Sequence, residues 1–195
     1  MHDEDRKTIS LRAGRADDAP AIEAVELQTA RMFSPDDVPA ALAVPLPAAR
    51  IVEGAHDGLL WVAEHAGSGV DGFVNGFANG FVSGFVIGFV LCERPAPATL
   101  HIREIDVRPD FGRRGIGAAL LAHACRMGAA RGLVHATLTT FLHLPWNAPF
   151  YARQGFRIVD DEAALAPHLV RALAAERAAG LRRRVAMVRT LDPRD

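Results

Sequence analysis

Apolar positions along the chain change their spacing several times, and each change marks a predicted element. Ile9 to Leu11 read as a short strand. A helix start follows at Ala16-Asp17-Asp18-Ala19-Pro20, where an Asp can accept from the first-turn amides and Pro is tolerated. Ile22, Val25 and Met32 share one helical stripe, which carries this helix to about Met32. Phe33 to Pro47 is rich in Pro, Ala and Asp and reads as a loop with one short helix. Leu59 to Glu64 and Leu100 to Val107 are strands of large apolar residues, the second ending at Arg108-Pro109. An amphipathic helix is predicted from about Arg114 to Arg131, with Ile116, Leu120, Ala124 and Met127 on one stripe and Gly132 as its stop. Beyond it come a strand over Leu133 to Thr139, a short helix over Asn147 to Gln154 ended by Gly155, and a strand over Phe156 to Val159. Asp161 to Ala179 is predicted helical, with Leu165, Leu169 and Leu173 in register, and Arg184 to Thr190 is the last strand. Strands and helices mix without strict alternation, which points to an α+β fold with a mixed sheet.

One segment breaks the pattern. From Gly72 the chain reads GFVN-GFAN-GFVS-GFVI-GFVL, a period too short for any solenoid. In a helix it would place Gly at every turn, at a cost of ~1 kcal/mol each relative to Ala. In a strand, Phe73, Phe77, Phe81, Phe85 and Phe89 would share one face. Residues 72–87 therefore read as a repeat inserted in a hairpin, with Gly88-Phe89-Val90-Leu91 beginning the strand that follows Leu59 to Glu64. The alternative is an adhesive or dimer-forming ribbon.

Composition narrows the class. A chain of 195 residues is the size of one domain, so 1–195 is expected to be a single domain. With 50% hydrophobic and 23% charged residues it is neither disordered nor fibrous. A net charge of −1 supplies no basic face for nucleic acid. Cys92 and Cys125 are too few for a disulfide framework or a four-thiolate zinc site. The segment MHDEDRKTIS is too acidic and polar for a secretory signal, and no run of eighteen apolar residues occurs. The expectation is a cytoplasmic protein without a membrane partner.

The chemistry is concentrated in Glu104-Ile-Asp-Val-Arg-Pro-Asp-Phe-Gly-Arg-Arg-Gly-Ile-Gly-Ala118, a strand and a loop running straight into a helix. Unhindered amides at Gly115 and Gly117 and the positive helix end make an anion site suited to a pyrophosphate. Arg113 and Arg114 add charge. The spacing fails the dinucleotide fingerprint at Leu120, and no Gly-Lys-Ser/Thr follows as a phosphate loop would need. By itself the glycine pair leaves a dinucleotide fold or a simple tight turn open.

These residues resemble the GNAT family of N-acetyltransferases. Its signature, Gln/Arg-x-x-Gly-x-Gly/Ala after a strand ending in Val-x-Pro, is matched by Val107-Arg108-Pro109 and Arg114-Gly115-Ile116-Gly117-Ala118. Gly112 stands where that family carries Gln or Arg, with Arg113 beside it as the compensating cation. A second stretch, Asn147-Ala-Pro-Phe-Tyr151-Ala-Arg-Gln-Gly155-Phe156, resembles a compressed form of the family's downstream signature. The resemblance implies a mainly antiparallel sheet of six to seven strands with helices on both faces and a splayed strand pair at the cofactor site. It implies acetyl-CoA as co-substrate and transfer of acetyl to a primary amine of a small molecule or peptide, by direct attack through a tetrahedral intermediate. Backbone groups of Ile105, Asp106 and Val107 would meet the pantetheine arm and acetyl carbonyl, and residues Gly112, Arg113, Arg114, Gly115, Ile116, Gly117 and Ala118 the pyrophosphate. Asn147 would contact the cofactor arm, with helix N-cap as its alternative role. Tyr151 would protonate the leaving thiolate, since a phenol of pKa ~10 holds its proton at neutral pH; its alternative is packing beside Phe150.

Glu104 and Asp106 fall on one face of their strand and His101 and Arg103 on the other, unless a bulge shifts the phase. Glu104 ranks first as the base, acting directly or through water, against a salt-bridged surface carboxylate; His143 ranks second. Phe33, Phe141 and Trp146 suggest apolar walls for the acceptor, and Arg182-Arg183-Arg184 reads as a solvated turn. The competing function is a non-catalytic acyl-CoA-binding sensor or regulatory module. A homodimer is also expected.

Overall fold

The Val-, Ile- and Phe-rich runs pair into one seven-stranded sheet in the computed structural model, which describes residues 8–66 and 84–192. The strands are β1 (Ile9–Ala13), β2 (Leu60–His65), β3 (Phe85–Ala96), β4 (Thr99–Val107), β5 (His135–Phe141), β6 (Arg157–Ile158) and β7 (Arg184–Thr190). They lie in the order β1-β2-β3-β4-β5-β7-β6, with β4 and β5 parallel and every other neighbouring pair antiparallel. The helices are α1 (Ala19–Thr29), α2 (Ala48–His56), α3 (Ile116–Ala130), α4 (Ala148–Arg153) and α5 (Pro167–Ala178).

Each face of the sheet buries its own cluster. On one, Leu120, Leu121 and Ala124 of α3 pack with Trp61, Val90, Ile102 and Leu138. On the other, Ile22 and Val25 of α1 and Ile51 of α2 pack with Val62, Phe89 and Leu91. Helices therefore cover both faces of a mixed, mainly antiparallel sheet, as the resemblance implied.

Local chemistry explains where the elements depart from the sequence reading. The first helix is shorter: Ala16–Asp18 and Ala30–Met32 are separate 3-10 turns flanking α1. Asp18 does not cap α1; its carboxylate accepts from the Arg15 amide at 2.7 Å and from the Arg12 guanidinium at 2.7 and 2.8 Å. The last helix begins at Pro167 after a separate 3-10 turn at Glu162–Ala164, because Pro lacks the N–H an interior turn needs. α3 begins at Ile116 because Gly115 is left-handed, with φ of +80°. The helix α2 was not anticipated, although Pro47 precedes it and Ile51 and Ala55, one turn apart, face the core.

The repeat needs a correction at its C-terminal end. Phe73, Phe77 and Phe81, and the surplus copies up to residue 83, lie outside the described residues. Phe85, Val86 and Ile87, assigned to the insertion, belong to β3, and Ile87 is 0% exposed. Phe85 and Phe89 do not share a face: Phe85 packs with the α3-side cluster and Phe89 with the α1/α2-side cluster. The reason is a bulge. Ala63 pairs with Gly88 and Glu64 with Val86, so Ile87 is an extra residue and the alternation inverts across it. Gly88 suits this position, since a Cβ there would lie 2.8 Å from the Asp106 carbonyl oxygen. Ile87→Ala is expected to lower stability by ~2–5 kcal/mol in urea denaturation, the cost of a core truncation; a surplus residue would leave the midpoint unmoved.

Candidate functional site

The site begins where a ladder stops. β4 and β5 pair only at Thr99–His135, Leu100–Ala136 and His101–Thr137, and beyond these three pairs the strands part. β4 carries its own bulge at this place: Leu91 pairs with Glu104 and Cys92 with Ile102, leaving Arg103 extra and exposed. Leu100, Ile102, Ile105 and Val107 consequently all pack on the α3 side. Strict alternation would set His101 opposite Glu104; the bulge brings His101, Glu104 and Asp106 to the other face. His101 Nδ1 lies 3.0 Å from Thr137 Oγ1, which also meets His168 Nε2 of α5 at 3.0 Å. Asp106 accepts from Thr29 Oγ1 of α1 at 2.9 Å.

Three carboxyl groups gather there. Glu26 of α1 is buried, with Oε1 accepting the Leu46 amide at 3.1 Å and Oε2 making no hydrogen bond among the described residues. Burial pushes its pKa up to about 7, with the Asp106 charge adding to the rise. Glu104 is pushed up to about 8 by burial and by its Asp106 and Glu26 neighbours. Asp106 is pushed up to about 6 by burial, against the Thr29 hydrogen bond. Glu104 and Asp106 were read from the sequence, whereas Glu26 was missed. Its signal was a Glu inside the stripe of Ile22, Val25 and Thr29 that faces the sheet.

Tyr151 sits on α4, its ring 5.0 Å from Phe150 and 6.0 Å from Phe156. Burial and the Asp106 charge raise its pKa, Arg184 opposes the rise and Glu104 adds to it, so the phenol keeps its proton at neutral pH. Asn147 precedes α4, but its side chain does not cap the helix. Its Oδ1 accepts from Thr140 Oγ1 of β5 at 2.7 Å, which ties α4 to the far wall of the splay.

The loop between β4 and α3 is built from two tight turns. Phe111 N–H donates to the Arg108 carbonyl at 2.9 Å and Gly112 N–H to that of Pro109 at 3.0 Å. A Cβ on Gly112 would stand 3.0 Å from the Pro109 oxygen, which explains glycine where the resemblance led one to expect Gln or Arg. Arg113, with φ of +58°, is exposed, while Arg114 lies over the Phe111 ring at 5.2 Å. Among the described residues, no backbone bond of this loop uses the amides of Arg113, Gly115, Ile116 or Gly117. A Cβ at Gly117 would lie 3.7 Å from Phe150 Cζ, so the start of α3 stands directly against α4.

The outer rim is aromatic. Phe33 lies 5.8 Å from Phe141 and 6.4 Å from Trp146, ring to ring. His143 Nε2 is 2.7 Å from Asp37 Oδ1, so the second-ranked base is engaged in the rim, on a carboxylate outside the buried trio.

Residues 29–156 match the model of the acetyltransferase (GNAT) family. The chain belongs to that family. Solved structures share its fold. Rv2747 from Mycobacterium tuberculosis, solved with coenzyme A, superposes with a TM-score of 0.65 at 18% identity, over 94% of this chain and 99% of that one. The PaiA N-acetyltransferase from Thermoplasma acidophilum, also with coenzyme A, gives 0.62 at 14% identity, over 94% and 99%. The ribosomal-protein-S18-alanine N-acetyltransferase from Escherichia coli gives 0.58 at 16% identity, over 94% of each. Among the described residues, no helix of this GNAT chain is long and apolar enough to cross a membrane.

The trio has a consequence for stability. An unfolded Glu loses its proton near 4.5, whereas folded Glu26 and Glu104 hold theirs to about 7 and about 8. The stabilisation they bring is complete at low pH and is lost as pH rises through those folded values. His101, held down at about 4 by burial, acts oppositely, and that effect is exhausted above its ordinary value of 6.5. Thermal midpoints measured from pH 6.5 to 8.5 are therefore expected to fall, and to fall less in Glu26→Gln, which keeps the Leu46 hydrogen bond without the titration.

Proposed function

We propose that this single domain is an N-acetyltransferase that moves acetyl from acetyl-CoA to a primary amine of a small molecule or peptide, by direct attack of the neutral amine. The observation that carries this reading is the parting of β4 from β5, with Tyr151 on one side, Glu104 and Asp106 on the other, and the open amides of the α3 start beside them. The residues present fit acetyl-CoA. Amides at Gly115, Ile116 and Gly117, at the positive end of a fifteen-residue helix, suit a pyrophosphate, with Gly112 and Ala118 leaving the approach open and Arg113 and Arg114 supplying charge. Backbone groups of Ile105, Asp106 and Val107, left without β5 partners, suit an amide-bearing arm and a developing oxyanion. Asn147, held by Thr140, keeps its amide nitrogen for the same arm.

When bound, acetyl-CoA supplies an activated acyl group and a thiolate leaving group. Glu104 takes the proton that the attacking amine must shed, once it has lost its own. Tyr151 donates its phenolic proton to the departing sulfur. Burial, with Asp106 and Glu26 beside it, holds the Glu104 pKa near the pH at which a base is useful.

Three measurements test this. The rate of thiol release from acetyl-CoA with an amine is expected to rise through about pH 8 as Glu104 ionises, and Glu104→Gln is expected to abolish that limb. Tyr151→Phe is expected to lower kcat ~10²-fold with similar cofactor affinity. Gly117→Val, whose Cβ alone meets Phe150 and Val107 at ordinary contact distance, is expected to weaken acetyl-CoA binding in calorimetry by screening the amides. Binding of acetyl-CoA without turnover on any amine would instead favour the sensor module.

A further inference from the structure

The turn that leads from α5 into β7 read as a solvated run of arginines; Arg182 and Arg183 are exposed, and the turn also lines a cavity. Its volume is about 440 Å³, and Arg177, Arg182, Arg183 and Arg184 line it with Leu173 and Leu181. Among the described residues no carboxylate lines it. The Glu176 carboxylate is taken up by Arg184, with Nε to Oε2 at 2.9 Å and Nη2 to Oε1 at 2.8 Å, and by Thr139, whose Oγ1 donates to Oε1 at 2.6 Å. Arg177, Arg182 and Arg183 have no ion pair among the described residues. The end of α5 accounts for one cation, Arg177 in its last turn, because carbonyls there carry partial negative charge. It does not account for Arg182 and Arg183, which lie beyond it.

The backbone that carries these side chains is pinned. Leu181 N–H donates to the Glu176 backbone carbonyl at 2.9 Å and Gly180 N–H to that of Arg177 at 3.1 Å, closing the helix through Gly180 with φ of +92°. Arg183 is left-handed, with φ of +55°, a conformation uncommon for a residue with a Cβ. Its carbonyl accepts the Leu142 amide at 2.8 Å. The cavity is thereby joined to the aromatic rim: Arg184 lies over the Phe141 ring at 4.5 Å, and Phe141 meets Phe33. Gly180 lies against Pro39, with a Cβ position 3.7 Å from the proline Cγ. Arg184 is also close enough to lower the Tyr151 pKa.

We infer that this arginine-lined cavity is a subsite for an oxyanion carried by the acceptor, a carboxylate or phosphate on the same molecule as the reacting amine. The acceptor would then be bipolar, its amine at the carboxyl trio and its anionic end among the guanidiniums, which present forked donors matched to such groups. The inference rests on the acetyltransferase reading.

The test uses primary amines of equal length ending in a carboxylate, a phosphate or a methyl group, with thiol release from acetyl-CoA as the readout. The anionic acceptors are expected to exceed the methyl one ~10-fold or more in kcat/KM, the size of a charge-assisted hydrogen bond. In the double variant Arg182→Gln, Arg183→Gly, that ratio is expected to fall to about one; glycine accepts the left-handed backbone, so the turn keeps its shape. A carboxylate preference over phosphate, or the reverse, identifies which oxyanion the site takes. Equal rates on all three amines, or a preference that survives the double variant, overturns the subsite. Failure of every amine overturns the acetyltransferase reading, and the subsite is then decided by calorimetry with inorganic phosphate. Heat lost in the double variant supports it, and heat unchanged overturns it.

Discussion

A pair of parallel strands that separates exposes backbone groups that nothing else in the sheet can pair, and the rest of this protein is arranged around that gap. β4 and β5 share only three residue pairs. Unpaired backbone donors and acceptors are costly unless something reaches them, so an opening of this kind persists only where the surroundings hold it open. Here the start of α3 stands against α4 at Gly117 and Phe150, and the Thr140–Asn147 bond anchors α4 to β5. A family resemblance had implied the splay; its physical basis is this pair of wedged helices.

Two bulges then decide which side chains face which helix. Ile87 in β3 and Arg103 in β4 each add one residue and invert the alternation beyond it. Without the second, His101 and Glu104 would stand on opposite faces of the sheet. With it, apolar Ile105 and Val107 complete the core under α3, and Glu104 and Asp106 turn toward Glu26 and Thr29 of α1. Three carboxyl groups confined in a poorly solvated space cannot all ionise at the ordinary pH. Holding protons near neutrality is destabilising to the fold above that range and useful to proton transfer within it.

Charge is zoned along the cleft. Carboxyl groups occupy the interior between α1 and β4, aromatic rings form the rim, and arginines crowd the turn after α5. Arg184 belongs to two of these zones, stacking on Phe141 while its field reaches Tyr151.

Much of this was legible in the residues. Spacing of apolar positions located every strand on the scale of an element, and the glycines on either side of Ile116 marked the open amides at the start of α3, because these are local properties of backbone and periodicity. The Asn147 and Tyr151 stretch and the Glu104 to Ala118 block sufficed for the family. Other features required the folded chain. Strand phase across a bulge depends on the partner strand, so the faces of Phe85, Phe89 and His101 could not be read from alternation. Glu26 lies far from Glu104 in sequence, and only the docking of α1 on β4 makes the two neighbours. The same holds for Arg182 and Arg183: a run of arginines says charge, but only the turn pinned by Glu176 and Leu142 lines a cavity. Short-range order is written in the sequence because its forces act between residues a few places apart; burial, proton affinity and the shape of a cleft belong to contacts that exist only after the chain has closed on itself.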